Sequence, residues 1–244
     1  MSLRDDALEM HRENQGKLEI TPNVKVTNKQ QLSLAYSPGV AEPCKEIHED
    51  SRKVYEYTIK GNTVAVVTDG TAVLGLGNIG AEASIPVMEG KAALFKSFAG
   101  INGVPIALDT TDTQEIIKTV KLIAPNYGGI NLEDISAPRC FEIEETLKKE
   151  TNIPIFHDDQ HGTAIVTLAG LINALKIVDK ELTNIKVVLN GSGAAGIAIV
   201  KLLHAYGVNN MIMCDSKGAI YSGRNFGMND TKTYVAKWTN KDKV

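Results

Sequence analysis

Short apolar runs alternate with helix-period segments along most of the chain. The first clear strand pattern is Thr63-Val64-Ala65-Val66-Val67, a β-branched run closed by the turn signal Thr68-Asp69-Gly70. A helix pattern follows over about 83–99, with Gly100 placed as a C-cap. Further along, the pattern predicts strand 105–108, helix 113–123, strand 129–132, helix 138–150 and strand 153–157. A long apolar helix over 163–178 then leads to the strand Lys186-Val187-Val188-Leu189, a helix over 197–206 and a strand over 211–214. Residues 1–32 are charged and lack a clear period, apart from a surface helix over 4–14, and about thirty residues after Cys214 read as irregular. Strands alternating with helices imply right-handed crossovers and a mostly parallel sheet.

The fold expected is therefore α/β: an N-terminal parallel-sheet domain over residues 1–162, then a dinucleotide-binding Rossmann domain over 163–244. A full dinucleotide fold needs about twice the βαβαβ half that starts here. The second domain is accordingly expected to be incomplete at its C-terminus.

Composition narrows the class without naming a chemistry. The net charge of −3 offers no basic face for nucleic acid. The longest apolar stretch, 164–178, falls short of the ~20 residues a membrane span requires, and the polar, acidic start does not resemble a signal peptide. Cys44, Cys140 and Cys214 are scattered, which fits a reducing cytoplasm better than a disulfide framework.

The glycine-rich turn carries the first candidate chemistry. Strand 186–189 runs through Asn190 into Gly191-Ser192-Gly193-Ala194-Ala195-Gly196 and then an apolar helix. In that arrangement the first glycine permits the tight turn and the second admits pyrophosphate close to the backbone. The third allows helix and strand to pack closely. The helix N-terminus presents free N–H groups and partial positive charge to the phosphates. Asp215 ends the next strand, nineteen residues beyond Gly196, where a carboxylate can bond the ribose 2′-hydroxyl. A 2′-phosphate would meet like charge there, so NAD is expected over NADP, with Lys217 softening the preference.

Two acidic pairs carry the second. Glu133-Asp134 and Asp158-Asp159 each follow a strand pattern, at the carboxyl end where open parallel sheets bind ligands. Converging carboxylates form an oxygen-rich shell suited to Mg²⁺ or Mn²⁺. Taken singly, Asp158 or Asp159 also reads as a helix cap and Glu133-Asp134 as a solvated turn. Lys91 lies on one helical face with Val87, Leu94 and Phe98, so it interrupts an apolar stripe. Desolvation there would make it a general base, although a snorkelling lysine fits the same pattern. Tyr36 precedes a Pro38-Gly39 turn, a position more often occupied by a packing residue.

The ordered series Ala35-Tyr36-Ser37-Pro38-Gly39-Val40-Ala41, Thr68-Asp69-Gly70, Gly75-Leu76-Gly77, Gly90-Lys91, Asn131-Leu132-Glu133-Asp134-Ile135 and His157-Asp158-Asp159-Gln160-His161-Gly162-Thr163 resembles the malic enzymes, in particular their shorter bacterial type. The resemblance runs from about residue 20 to the end. It implies oxidative decarboxylation of malate to pyruvate and CO₂ with reduction of NAD(P), dependent on Mg²⁺ or Mn²⁺. By motif, Glu133, Asp134 and Asp159 resemble the family's metal ligands and Asp158 a supporting carboxylate. Lys91 resembles its general base, and Tyr36 its general acid, a role that suits a buried phenol. The family also implies a homodimer and a longer chain. Two family features are missing: an arginine near Thr71-Ala72, found in larger eukaryotic members, and asparagines of the later cofactor domain. The competing readings are a malolactic-type or other hydroxy-acid oxidoreductase, and a non-catalytic module that binds NAD and metal.

Overall fold

The computed structural model describes residues 2–243. The chain forms two compact units. The first holds residues up to Asn131 together with Leu147–Ile155; the second holds Leu132–Thr146 together with Phe156 onward.

The first unit opens with four short helices, α1 (Leu3–Asn14), α2 (Lys29–Ala35), α3 (Ala41–Glu49) and α4 (Val54–Tyr57). None of these contains a buried residue. Helix α1 starts with a capping box, in which Ser2 accepts from the Asp5 amide and the Asp5 side chain bonds back to Ser2. Strand β1 (Thr63–Thr68) follows, then α5 (Ala81–Ala99), β2 (Asn102–Ala107), α6 (Thr113–Ile123) and β3 (Gly129–Leu132). Helix α7 (Arg139–Glu150) and strand β4 (Ile155–His157) follow, each divided between the two units, and β4 is the last strand of the first sheet. The four strands run in the order β2-β1-β3-β4, and β1 pairs parallel with β2 from Thr63↔Asn102 to Thr68↔Ala107. In β1, Ala65, Val66 and Val67 have no exposure at all, as expected of a central parallel strand covered on both faces.

Helix α5 corrects one expectation. Its ends agree closely with the periodicity, down to Gly100 as a left-handed C-cap at φ +68°. Its buried face, however, is Ala81, Ser84, Met88 and Ala92. Val87, Leu94 and Phe98 are 40%, 50% and 84% exposed. The helix packs so closely on β2 that a Cβ on Gly103 would stand 2.6 Å from the α-carbon of Ala92. That approach requires a small residue at Ala92, and the stripe of Val87, Leu94 and Phe98 is left exposed instead.

The second unit is built around α8 (Asp158–Ile177), β5 (Val187–Asn190), α9 (Ala194–Ala205), β6 (Met211–Asp215), β7 (Gly218–Ala219) and α10 (Asp230–Val235). Strands β5 and β6 pair parallel, and β7 turns back antiparallel on β6. Ile197, Val200 and Leu203 of α9 form a core with Met211, Met213, Ile220 and Val235. The residues after Cys214, expected to be irregular, thus hold a short hairpin and a helix whose N-cap, Asn229, accepts from the Lys232 amide. Among the described residues no helix is long and apolar enough to cross a membrane. The three cysteines are free thiols.

Candidate active site

Glu133-Asp134 directly follow strand β3, and strand β4 runs directly into α8, whose first turn carries Asp158 and Asp159. Helix α8 therefore starts five residues before the expected Thr163. Gly162 lies inside it, with the Asp158 carboxylate filling the space beside that glycine. A Cβ there would stand 2.3 Å from Asp158 Oδ1. Placing two carboxylates in a first turn sets them against the positive end of the helix dipole.

Glu133, Asp134 and Asp159 converge. Each offers an oxygen, and the three oxygens lie within 4.8 Å of one another. Glu133 and Asp134 are buried and the Asp159 side chain is one-third exposed. The Asp134 amide donates to Asp159 Oδ2 at 2.8 Å, which fixes the two acidic segments together. Asp134 has φ +54°, in the left-handed region that a residue other than glycine occupies at a cost. Hard oxygen donors, gathered in a partly buried setting, fit Mg²⁺ or Mn²⁺. Asp158 stands beside the cluster in sequence but is not one of the three converging groups.

Several polar groups back this cluster that sequence reading did not single out. Glu144 of α7 is 4% exposed. Its carboxylate accepts from the His157 amide at 3.2 Å and from Gln160 Nε2 at 3.4 Å, and His161 Nε2 lies 2.8 Å away. The signal for Glu144 was its spacing: Cys140, Ile143 and Leu147, at helical intervals around it, are all fully buried. His157 is fully buried, and burial holds its imidazole below the ordinary value against the pull of Asp159 and Glu144. Burial, reinforced by Asp159 and Glu144, pushes the Cys140 thiol up to about 12, which makes it a packing residue rather than a nucleophile.

The remaining candidates fall in two places. Lys91 is half-buried on α5. Tyr36 caps the C-terminus of α2 and is 69% exposed, in contrast to the buried phenol expected. In the second unit, the turn Gly191-Ser192-Gly193 leads into α9 with Gly193 as N-cap and no side chain capping the helix. Gly191 has φ +124°, and a Cβ on Gly196 would stand 2.0 Å from the Gly191 carbonyl oxygen, so the first and third glycines are required. Around Gly193, by contrast, a Cβ would meet nothing within 4 Å. Open space at the N-terminus of an uncapped helix is what a pyrophosphate needs. Ala194 and Ala195 form the first turn beside it.

Asp215, at the end of β6, is held from several sides. Arg224 Nη2 donates to both its oxygens at 2.9 and 3.0 Å, Lys232 Nζ donates at 2.8 Å, and the Lys217 amide donates at 2.8 Å. Arg224 is itself buried, donates to the Phe226, Gly218 and Ala219 carbonyls and lies over the Phe226 ring. Burial alone would raise the Asp215 carboxyl. The two cations and the amide hold it down at about 2.

Two family models cover most of the chain: residues 15–148 match the malic enzyme N-terminal domain and residues 160–242 the malic enzyme NAD binding domain. The chain belongs to the malic enzyme family. A bifunctional malic/malolactic enzyme of Bacillus subtilis is 70% identical, covering 100% of this chain and 59% of that protein. An NAD-dependent malic enzyme of Geobacillus stearothermophilus is 61% identical, over 94% of this chain and 48% of that one. Among solved structures, the NAD-dependent malic enzyme of Thermotoga maritima superimposes with a TM-score of 0.95 at 49% identity, over 98% of this chain and 64% of that one. The chain thus spans about half to two-thirds of the length of these malic enzymes. The α/β fold with a parallel sheet and a following NAD-binding region agrees with the expectation from sequence.

Proposed function

We propose that the protein containing this chain oxidatively decarboxylates L-malate to pyruvate and CO₂, reducing NAD(P) with the help of Mg²⁺ or Mn²⁺. The observation that carries this reading is the convergence of Glu133, Asp134 and Asp159 in a chain of the malic enzyme family. In this assignment the three carboxylates hold the cation, and Asp158 supports them from the same helical turn. A bound divalent ion would act as a Lewis acid, stabilising negative charge that develops on the substrate oxygen. Lys91 takes the proton from the C2 hydroxyl as hydride leaves C2, and Tyr36 delivers a proton to C3 after CO₂ is lost. The turn from Gly191 to Gly196 binds the cofactor pyrophosphate through backbone N–H groups. The working division is a substrate- and metal-binding part over residues 1–162 and a nucleotide-binding part over 163–244. The active species is assigned as a cytoplasmic homodimer.

NAD remains the favoured cofactor, supported by the matched NAD binding domain and by the NAD-dependent relative. The like-charge argument against NADP is weaker than the sequence implied, because Arg224 and Lys232 already offset the Asp215 charge. Relatives named as NADP-dependent, such as that of Rickettsia prowazekii at 54% identity, are consistent with this. We therefore assign NAD as the preferred cofactor and NADP as one the site tolerates.

A second reading is favoured by one relative. The Bacillus subtilis protein is named for malolactic as well as malic activity, and retention of the cofactor through the cycle would release lactate instead of pyruvate. The test is to incubate the protein with L-malate, Mn²⁺ and NAD while following NADH and identifying the product. Pyruvate with stoichiometric NADH supports the first reading, lactate without net NADH the second. No turnover of malate, with NAD and Mn²⁺ bound, would leave only the binding module.

A further inference from the structure

The cation site is assembled from two chain segments that are distant in sequence, and one buried carboxylate bridges them. Glu144 lies on α7, the helix that follows Glu133-Asp134 after a short turn. Its carboxylate reaches the other segment three times: at the His157 amide, where β4 ends, and at the side chains of Gln160 and His161 in the first turn of α8. Asp158 and Asp159 lie between those attachment points. We propose that Glu144 is a positioning residue that fixes the β4–α8 turn and thereby the direction in which Asp159 presents its carboxylate to the cation.

Packing alone does not account for a glutamate here. Its helical neighbours Cys140, Ile143 and Leu147 are fully buried, so an apolar residue at position 144 would continue the same face. Burying a carboxylate among them is unfavourable unless donors compensate it. Three such contacts come from the turn that carries the Asp158-Asp159 pair. Outer carboxylates that orient a metal-binding segment typically contribute about 10–100-fold to metal affinity. The direct bond from the Asp134 amide to Asp159 sets the distance between the two segments. Glu144 adds the orientation, by gripping the turn on either side of Asp159.

This inference rests on the cation reading above, and the test separates the two. Free Mn²⁺ is titrated by its electron paramagnetic resonance signal against the purified protein, the Glu144→Gln variant and the His161→Phe variant. Circular dichroism and metal-free melting confirm that each is folded. The amide of Glu144→Gln keeps the shape and one acceptor but loses the charge and an acceptor for the α8 side chains. The expected result is Mn²⁺ affinity at least about tenfold weaker in folded Glu144→Gln, with an altered signal from bound Mn²⁺. A smaller loss is expected in His161→Phe. Unchanged affinity in folded Glu144→Gln would overturn the positioning role and leave the three ligands standing. No Mn²⁺ binding by the parent protein would remove the cation site and this inference with it. If Glu144→Gln does not fold, His161→Phe decides: its side chain is 36% exposed, and unchanged affinity there would equally overturn the proposal.

Discussion

The second unit treats its carboxylates in two opposite ways. Asp215 is met by cations of its own chain, Arg224 and Lys232, and its charge is neutralised inside the fold. Glu133, Asp134 and Asp159 are brought up against one another, with oxygens within 4.8 Å. Like charges gathered at that distance repel, and the arrangement becomes favourable when a cation is added. An acid at the end of a strand is therefore not one kind of object. One arrangement is a carboxylate outnumbered by two cations, which suits the proposed nucleotide rim; the other is a cluster of acids, which suits the proposed metal socket.

The largest expected effect sets a baseline outside both groups. Lys91→Ala should lower malate oxidation by about 10²–10⁴-fold while Mn²⁺ and nucleotide affinities stay at parent values. Near-parent oxidation would remove Lys91 from the chemistry. Next, Asp159→Asn should weaken Mn²⁺ binding by about a hundredfold, whereas Asp215→Asn should leave the same titration unchanged. A loss in both variants would collapse the distinction between socket and rim. Third, Arg224→Ala removes one partner of a buried pair, so melting should fall by the equivalent of about 3 kcal/mol, with Mn²⁺ affinity retained. The smallest effect is the acid response. Asp215 has a folded value of about 2 against an ordinary value of 3.8, so its stabilisation is present above about pH 4. That stabilisation is lost as the pH falls through this range toward 2. Asp215→Asn should flatten that part of the acid melting curve; an identical curve would mean that the ion pairs contribute nothing to stability.

Much of this contrast was legible in the chain, but unevenly. Helix α6 and strand β3 have the bounds that periodicity predicts, because Asp112 caps one and Gly129 opens the other. The two acidic pairs fall at strand ends as expected. What sequence could not supply was the identity of each partner. Helix α8 starts at Asp158 rather than at the expected Thr163, with Gly162 inside it where a Cβ would clash with the Asp158 carboxylate. The stripe through Lys91 has the right period and the wrong face: the buried one is Ala81, Ser84, Met88 and Ala92, with Ala92 set close against Gly103. Asp215 shows the same limit. Its position nineteen residues past the last glycine is visible, but Arg224 and Lys232 reach it only through a hairpin and a helix that have no strong pattern.

The chain passes between its two compact units three times, after Asn131, Thr146 and Ile155. No single cut can therefore yield both units intact. A fragment ending at Asn131 lacks the Leu147–Ile155 piece of the first unit. A fragment starting at Phe156 keeps Asp159 but loses Glu133, Asp134 and Glu144. Dissection into a separate nucleotide-binding piece, routine for beads-on-a-string proteins, would here part Asp159 from Glu133 and Asp134. This interleaved connectivity predicts that the two units unfold as one cooperative transition, not in sequence.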